Sequence, residues 1–402
     1  MANATQDGTT AVSAGTKTAE RKVRRPRSTV RDQRDVLRVL GVLKVATATQ
    51  IMDLVRPHLS DNKPIRNALL VLQADSKVVS EGSTAGPQGK FGAPDRVGEP
   101  SQKLWGLTPV GLDAAAGHLQ RGPEAMGGRA RGAGTGGAPH AMAVNAMIVA
   151  FTRGGRTPGA AAGIGGITSW RTEVPHPLTS SGKRNVRADA VFQAKDAGVP
   201  LLVVEVDRYT EPAHVLADKV GAYADYYRRQ IHDPALPGST VPRGAVTGGG
   251  PGTVPHWATV YPRTGLAGLP PLATVLTGAG PTALANRIRK VAVLSREHWA
   301  PERRTGYGYP YGRTDADGDF YLDFTGRIPL VMTTLDRLKQ HGPLGPVCFR
   351  IDGHHCEEGA PLLQALEDVR TEAEFDQRLE QRRRAAKVEE QRREAEEKPA
   401  AR

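Results

Sequence analysis

Apolar residues recur at intervals of three and four in three successive stretches near the start of the chain. The residues that mark these stretches are Val36, Leu37, Leu40 and Leu43, then Ile51, Met52 and Val55, then Ile65, Leu69 and Leu72. Such spacing places each set on one face of a helix. Two short apolar runs at 78–81 and 103–107 predict paired strands, and 108–119 predicts a further helix. Three helices followed by a hairpin predict a winged helix-turn-helix over residues 28–120.

Beyond residue 140, helical periodicity alternates with short apolar runs that are rich in β-branched residues. The predicted helices are 140–151, 212–229, 282–294 and 331–340, and the predicted strands are 167–173, 188–194, 199–206, 272–277 and 346–351. Alternation of strands and helices is typical of a sheet covered by helices. We therefore expect an α/β fold class, α+β for the whole chain, with a mixed-sheet domain over residues 140–351.

The segments outside these two modules differ from them in composition. Residues 1–27 combine Ala, Thr and Gly with Lys and Arg, and they predict a disordered basic arm. Residues 121–139 are rich in Gly and Ala and predict a flexible linker. The Pro- and Gly-rich stretch 230–268 predicts an insertion loop, and 352–402 predicts a polar loop followed by a charged helical tail.

Carboxylates stand at the end of the most hydrophobic predicted strand. Because side chains alternate along a strand, Glu205 and Asp207 point to one side of it. Asp189 begins the preceding strand, where a hairpin brings it close to Glu205. Three acids at one place repel each other unless a cation joins them, which predicts Mg²⁺ or Mn²⁺ held by Asp189, Glu205 and Asp207. Lys219, in the following helix, is then placed to stabilise the charge of a phosphate.

This order of acids and lysine resembles the PD-(D/E)xK nuclease superfamily. The resemblance has one departure: Asp207 occupies the position two residues after Glu205 where a lysine is usual, so Lys219 would take the lysine role. From about residue 35 to 351 the chain resembles the bacterial replication-relaxation family, and the matching residues are His140, Asn145, Asp189, Glu205, Asp207, Arg208, Lys219 and Tyr223. The resemblance implies a restriction-endonuclease-like domain, a role in plasmid or mobile-element replication and DNA relaxation, and catalytic roles for Asp189, Glu205, Asp207 and Lys219.

Charge and composition narrow the range of partners. A net charge of +12 and a pI near 9.8 favour a polyanion, and we expect double-stranded DNA. The third helix of a winged helix enters the major groove, so the candidate DNA contacts are Lys63, Arg66 and Asn67, with Lys90 and Arg96 on the wing. The sequence has no run near the ~20 apolar residues that cross a bilayer. It also has no apolar signal segment at its start, so we expect a cytoplasmic protein.

Three functions are open at this point. The first is metal-dependent nicking by a protein bound to DNA, with plasmid or mobile-element replication proteins as further partners. The second is a replication or transcription regulator that binds DNA and keeps a degenerate nuclease fold. The third is strand transfer with one of three tyrosines, Tyr223, Tyr226 or Tyr227, as nucleophile. The simplest interpretation of the acids is an α/β domain whose edge carboxylates pair with Arg187 and Arg208, with Lys219 as a solvated helix residue. A winged helix can also mediate dimerisation or bind proteins.

Overall fold

The computed structural model describes residues 26–84, 101–122, 126, 138–233, 252–305, 320–352 and 359–397. Its first part, which we call the N-terminal unit, contains α1 (Val30–Leu43), β1 (Val45–Thr47), α2 (Ala48–Val55), α3 (Lys63–Ala74), β2 (Val78–Ser83), β3 (Lys103–Leu107) and α4 (Pro109–Leu119). The three strands form an antiparallel sheet in the order β1-β3-β2. The predicted helices and paired strands of this unit are confirmed, and β1 is an addition to them.

Local sequence explains where the helices of the N-terminal unit begin. Thr29 caps α1 and Thr108 caps α4, each through its side-chain hydroxyl. Thr47 caps α2 in a capping box with Gln50, in which each side chain bonds to the backbone N–H of the other residue. The apolar faces predicted from the periodicity form one core, in which the fully buried residues include Val36, Leu40, Ile51, Ile65 and Leu69.

The second part, which we call the sheet unit, begins with α5 (Ala138–Arg153). Its main strands are β4 (Trp170–Pro177), β5 (Asn185–Ala194), β6 (Val199–Asp207), β9 (Leu272–Leu276), β12 (Leu330–Thr334) and β13 (Phe349–Ile351), and two separate hairpins consist of β7 (Gln230–His232) with β8 (Thr253–Pro255) and β10 (Glu302–Thr305) with β11 (Phe320–Asp323). The further helices are α6 (Ala213–Arg228), α7 (His256–Val260), α8 (Pro281–Leu294), α9 (Arg296–Trp299), α10 (Leu335–His341), α11 (Leu362–Leu366) and α12 (Glu372–Glu397).

The six-stranded sheet is mixed and has the order β13-β12-β9-β6-β5-β4. Strands β6, β9 and β12 are parallel, whereas β4, β5 and β13 pair antiparallel with their neighbours. A strand covered on both faces needs apolar residues at consecutive positions, and β6 is buried in this way from Leu201 to Val204. Helices α5 and α10 with the N-terminal unit cover one face, and α6, α8 and α9 cover the other. The predicted α/β fold class with a mixed sheet is therefore confirmed.

Helix α5 packs on both units. Asn145 is 2% exposed and donates from Nδ2 to the carbonyl oxygen of Val45 at 2.7 Å and to Oε1 of Gln50 at 3.2 Å, both in the N-terminal unit. On the sheet side, the ring of Phe151 packs against that of Phe192 with the ring centroids 5.1 Å apart. A single apolar core runs from α1 and α2 through α5 to β5 and β6. Helix α5 therefore fixes the N-terminal unit against the sheet.

Several predicted boundaries were wrong. The predicted helix 331–340 begins as strand β12, because this β-branched run pairs with both β9 and β13, and α10 starts only after its cap Thr334. The predicted insertion loop contains the β7–β8 hairpin and α7, and the first main strand is Trp170–Pro177 instead of 167–173. Helix α5 begins at Ala138, inside the predicted linker. Most of that linker and residues 1–25 of the predicted arm lie outside the described residues.

The charged tail is helical, as predicted. Salt bridges at a spacing of four residues, Arg384 to Glu380 and Arg393 to Glu389, follow the outside of α12. Pairs of this kind stabilise an exposed helix by a few tenths of a kcal/mol, about 0.2–0.5 each. Across the described ranges, none of the helices combines the length and the apolar character that a bilayer crossing needs.

Candidate functional site

The site is built at the carboxyl end of β6. Glu205 and Asp207 lie on the face of the sheet that α6 and α8 cover, since Val203 on the same side belongs to the core formed with these helices. In the parallel register, Glu205 is paired with Thr274 and Asp207 with Leu276 of β9. The sequence predicted that both acids lie on one side of the strand. This agrees with the structure, in which both acids contact helices that cover that face.

Glu205 is held by two side chains of α6. Lys219 Nζ lies 2.5 Å from Glu205 Oε2, and the Tyr223 hydroxyl donates to Oε1 at 2.5 Å. Lys219 and Tyr223 are four residues apart, so they occupy one face of the helix. Burial, together with the negative charge of Asp189, raises the pKa of Glu205 to about 8 despite its contact with Lys219. Burial lowers the pKa of Lys219, but the two carboxylates outweigh burial and the pKa is raised overall.

Asp189 connects β5, β6 and α5. The ladder between β5 and β6 has its last pair at Ala190 and Val204, and beyond it Asp189 Oδ2 accepts the backbone N–H of Val206 at 2.7 Å. His140 Nε2 lies 2.9 Å from Asp189 Oδ1. The hydrogen bond to Asp189 raises the pKa of His140 despite its partial burial. Burial raises the pKa of Asp189, but the hydrogen bond and the charge of His140 bring it below its ordinary value.

Asp207 is directed towards α8 instead of Lys219. Its two oxygens contact Arg287, through Nη2 at 3.0 Å and through Nε, and Oδ1 also accepts the backbone N–H of Tyr209. The pair is buried, with side-chain exposures of 6% for Arg287 and 8% for Asp207. The Arg287 guanidinium also lies over the Tyr209 ring, 5.0 Å from its centroid.

In this arrangement the three carboxylates are surrounded by hydrogen-bond donors of the protein itself. All six oxygens of Asp189, Glu205 and Asp207 accept hydrogen bonds from protein donors. Over the part of the chain that the structure describes, no group of three or more His, Cys, Asp and Glu side chains could hold a metal ion. The positive charge next to the acids comes from Lys219 and Arg287, with His140 as a hydrogen-bond partner. A metal ion at these residues, and their catalytic role, stay predictions.

Glu173 and the tyrosines of α6 extend the surroundings of the site. Glu173 has a positive φ of 53° in β4, and its carboxylate lies 3.7 Å from Arg187. Tyr223, Tyr226 and Tyr227 are at most 1% exposed, and burial raises the pKa of each hydroxyl. A nucleophile must be accessible and easily deprotonated, so the structure argues against strand transfer by these tyrosines.

The candidate DNA contacts of the N-terminal unit lie on the outward face of α3. Lys63 and Arg66 are exposed and Asn67 is half-buried, whereas Ile65 and Leu69 point into the core. Arg66 lies 3.8 Å from Asp61, and both side chains are more than half exposed. The wing candidates, Lys90 and Arg96, lie outside the described residues.

Two residues of the site were missed by sequence reasoning. Arg287 lies 80 residues from Asp207 along the chain, and Thr274 comes next to Glu205 only through the pairing of β6 with β9. A signal for Arg287 exists in the sequence: it shares a helix face with Leu284 and Val291, the other buried residues of α8. A charged residue on an apolar helix face indicates a buried partner of opposite charge.

A family model described as Replication-relaxation matches residues 37–239, which is just over half of the 402-residue chain. The match includes most of the N-terminal unit, α5 and the residues of the carboxylate site up to Tyr223, but it ends before Arg287. Neither the curated proteins nor the solved structures contain a match to the chain.

Proposed function

Because the chain belongs to the replication-relaxation family, we propose that it binds double-stranded DNA in plasmid or mobile-element replication and relaxation, with the N-terminal unit as a winged helix-turn-helix. The observation that carries the proposal is the outward face of α3, where Lys63 and Arg66 are exposed beside half-buried Asn67. The order of helices and strands in this unit supports this assignment, and the third helix of a winged helix enters the major groove. The net charge of +12 also favours a polyanionic partner.

The sheet unit supports this function without requiring cleavage. Its buried acids have their partners within the protein: Glu205 accepts from Lys219 and Tyr223, and Asp207 pairs with Arg287. Helix α5 joins this unit to the N-terminal unit through Asn145 and its contacts with Val45 and Gln50. We infer that the sheet unit is a scaffold that holds the DNA-binding unit in a fixed orientation for assembly with replication proteins.

The test is binding of a fluorescent DNA duplex, measured by anisotropy at several salt concentrations. If Arg66 reads a base, we expect Arg66→Ala to weaken binding by about 1–3 kcal/mol. If Arg66 contacts a phosphate instead, the substitution should make the slope of log K against log salt shallower by about 1. The matched control is Arg34→Ala, which removes an arginine of similar exposure from α1. Equal binding by both variants and the parent would contradict the role of α3. Dimerisation without DNA binding in sedimentation experiments would instead identify the unit as a protein-docking module.

DNA nicking is a second candidate, favoured by the meeting of Asp189, Glu205 and Lys219 at the end of β6. Asp189 accepts the N–H of Val206, the residue next to Glu205, and Lys219 contacts Glu205 directly. This combination of two acids and a lysine is the one that the nuclease resemblance implies. Since protein donors hold the carboxylates, nicking would require those donors to be displaced.

Supercoiled plasmid with Mg²⁺ or Mn²⁺ tests the second candidate directly. If the protein nicks DNA, open circles should form with the parent and with Glu297→Gln, a carboxylate change at an 81% exposed side chain, but not with Glu205→Gln. If neither the parent nor Glu297→Gln nicks plasmid, and neither binds Mn²⁺ in calorimetry, the scaffold role of the sheet unit is supported.

A further inference from the structure

A small polar cavity of about 100 Å³ lies where the N-terminal unit meets the sheet unit. Its walls come from α2, the residue before β3, the second half of α5 with the loop that follows it, and α10. They include Thr49, Gln102, Arg153, Arg156 and Lys339. A cavity of this volume is several times larger than one water molecule requires, which is about 10–15 Å³. The Arg156 side chain is 52% exposed, so the cavity is reachable from solvent.

The cavity walls carry more positive than negative charge. Among the lining residues that the structure describes, Asp53 is the single acid, and it accepts bonds from Arg153 Nη1 at 3.2 Å and from Arg156 Nη2 at 2.7 Å. Arg153 and Arg156 give two cations for this one anion, a formal excess of one positive charge. A guanidinium has five N–H donors in one plane, and the bond to Asp53 engages one nitrogen of Arg156. Asp53 therefore orients two arginines without cancelling the charge of the cavity.

The cavity lies beside both parts of the N-terminal unit that are proposed to contact DNA. Asn62, the residue before α3, donates from Nδ2 to Thr49 Oγ1 in the cavity wall at 2.9 Å. Gln102 precedes β3, and its carbonyl accepts the N–H of Thr84 across the base of the hairpin at 2.9 Å. The helix that precedes the recognition helix crosses the DNA backbone in helix-turn-helix proteins, and the start of such a helix favours an anion.

We propose that this cavity binds one phosphate group of the DNA backbone, next to the groove that α3 enters. The inference rests on the proposed DNA binding and adds a second contact, which the sheet unit supplies through α5, the loop that follows it and α10. Phosphate contacts position a protein on the duplex without reading its sequence. The cavity thereby makes the orientation of the sheet unit part of DNA recognition.

The first test is the salt dependence of duplex binding by the full-length chain. The logarithm of the binding constant falls as the logarithm of the salt concentration rises, and each lost phosphate contact should make this slope shallower by about 0.9. We expect this change for Arg156→Gln. The affinity loss should be the same for unrelated DNA sequences. Arg337→Gln is the control, because it removes one charge from the exposed face of α10, outside the cavity lining, and should leave the slope unchanged.

The second test places charge in the cavity wall. Thr49→Glu and Thr49→Gln both replace the hydroxyl that accepts from Asn62 with a side chain of the same size, so their difference isolates one negative charge. We expect Thr49→Glu to bind DNA at least tenfold more weakly than Thr49→Gln at low salt. Thermal unfolding of both variants checks that they are folded to the same extent.

The outcomes separate this inference from the proposed function. If the parent does not bind duplex DNA, DNA binding itself is wrong and the inference falls with it. If the parent binds, but Arg156→Gln keeps the parental slope and the two Thr49 variants bind equally, only the cavity proposal is overturned. Calorimetry with inorganic phosphate is a third measurement. If Arg156→Gln loses phosphate binding but keeps the parental salt dependence of DNA binding, the cavity binds a free anion and the proposed DNA contact is overturned.

Discussion

The outward face of α3 and the carboxylate site at the end of β6 carry charge in opposite ways. Lys63 and Arg66 project from α3, and the contact of Arg66 with Asp61 is long and exposed. The carboxylates of Glu205 and Asp207 are buried and contact basic partners from α6 and α8. An exposed ion pair contributes about 0–1 kcal/mol, whereas breaking a buried pair costs about 3–5 kcal/mol. The charges of α3 are therefore available to a ligand, and those of the sheet are committed to the fold.

The largest effect that this comparison predicts is on the Arg287–Asp207 pair. Arg287→Met leaves the buried carboxylate of Asp207 without its cation, and we expect the free energy of unfolding to fall by about 3–5 kcal/mol in urea denaturation. Adding Asp207→Asn to this variant should recover part of the loss, because no buried charge is then unpaired. Arg289→Met, at an exposed position of the same helix, should change stability by no more than about 0.5 kcal/mol. Equal stability of the two arginine variants would show that Asp207 is solvated.

The next effect concerns pH and Glu205. Its folded-state pKa is about 8, above the ordinary value of 4.5, so the folded protein holds this proton more tightly than the unfolded chain does. The stability that this bound proton gives the folded protein is fully present below about pH 4.5 and is lost as the pH rises through about 8. Each pKa unit corresponds to about 1.4 kcal/mol, so the loss is on the order of a few kcal/mol.

Glu205→Gln isolates this effect, because the amide does not titrate. Between pH 5 and pH 8, about the range in which the carboxyl loses its proton, the parent should lose stability relative to Glu205→Gln when both are unfolded by urea. The neighbouring Asp189, His140 and Lys219 remain in both proteins, so their titration largely cancels in the difference. A parent that gains stability over this range would mean that Lys219 keeps Glu205 ionised in the folded state.

A smaller effect is expected for Asn145, the neutral residue that links the sheet unit to the N-terminal unit. Asn145→Ala leaves the Val45 carbonyl and the Gln50 side chain without this donor in a buried place, and we expect a loss of about 1–3 kcal/mol in urea unfolding. Asn67→Ala, on the half-exposed face of α3, should change stability by less than about 0.5 kcal/mol. Equal losses would mean that Asn145 does not hold the units together.

Much of the fold was predictable from the sequence because its signals are local. Periodicity identified α1, α2 and α3 from apolar faces that turn out to share one core, and the continuous apolar run of β6 indicated a strand covered on both sides. The boundary at Thr334 was missed for a physical reason. Residues 330–334 have no helix-breaking residue, and only their pairing with β9 and β13 makes them a strand.

The residues of the candidate site were easier to predict from the sequence than the contacts between them. Glu205 and Lys219 were expected to meet, and they do, because strand alternation and the following helix bring them together. Sequence could not give the partner of Asp207, since Arg287 reaches it only after α8 packs against α6. It also could not show that His140 would bond to Asp189 across 49 residues.

The smallest expected effect tests whether buried polar groups in the sheet are paired as completely as the carboxylates are. Thr274 is fully buried beside Glu205, and its hydroxyl has no hydrogen-bond partner among the described residues. Thr274→Val should therefore be neutral or stabilising by up to about 1 kcal/mol, because it removes a desolvated hydroxyl at nearly constant volume. Thr333→Val is the matched variant on β12: the Thr333 hydroxyl donates to the Val347 carbonyl at 2.7 Å, so its loss should destabilise by about 1 kcal/mol. If both substitutions destabilise the protein equally in urea unfolding, the Thr274 hydroxyl is hydrogen-bonded through water, and the polar network around Glu205 extends into β9.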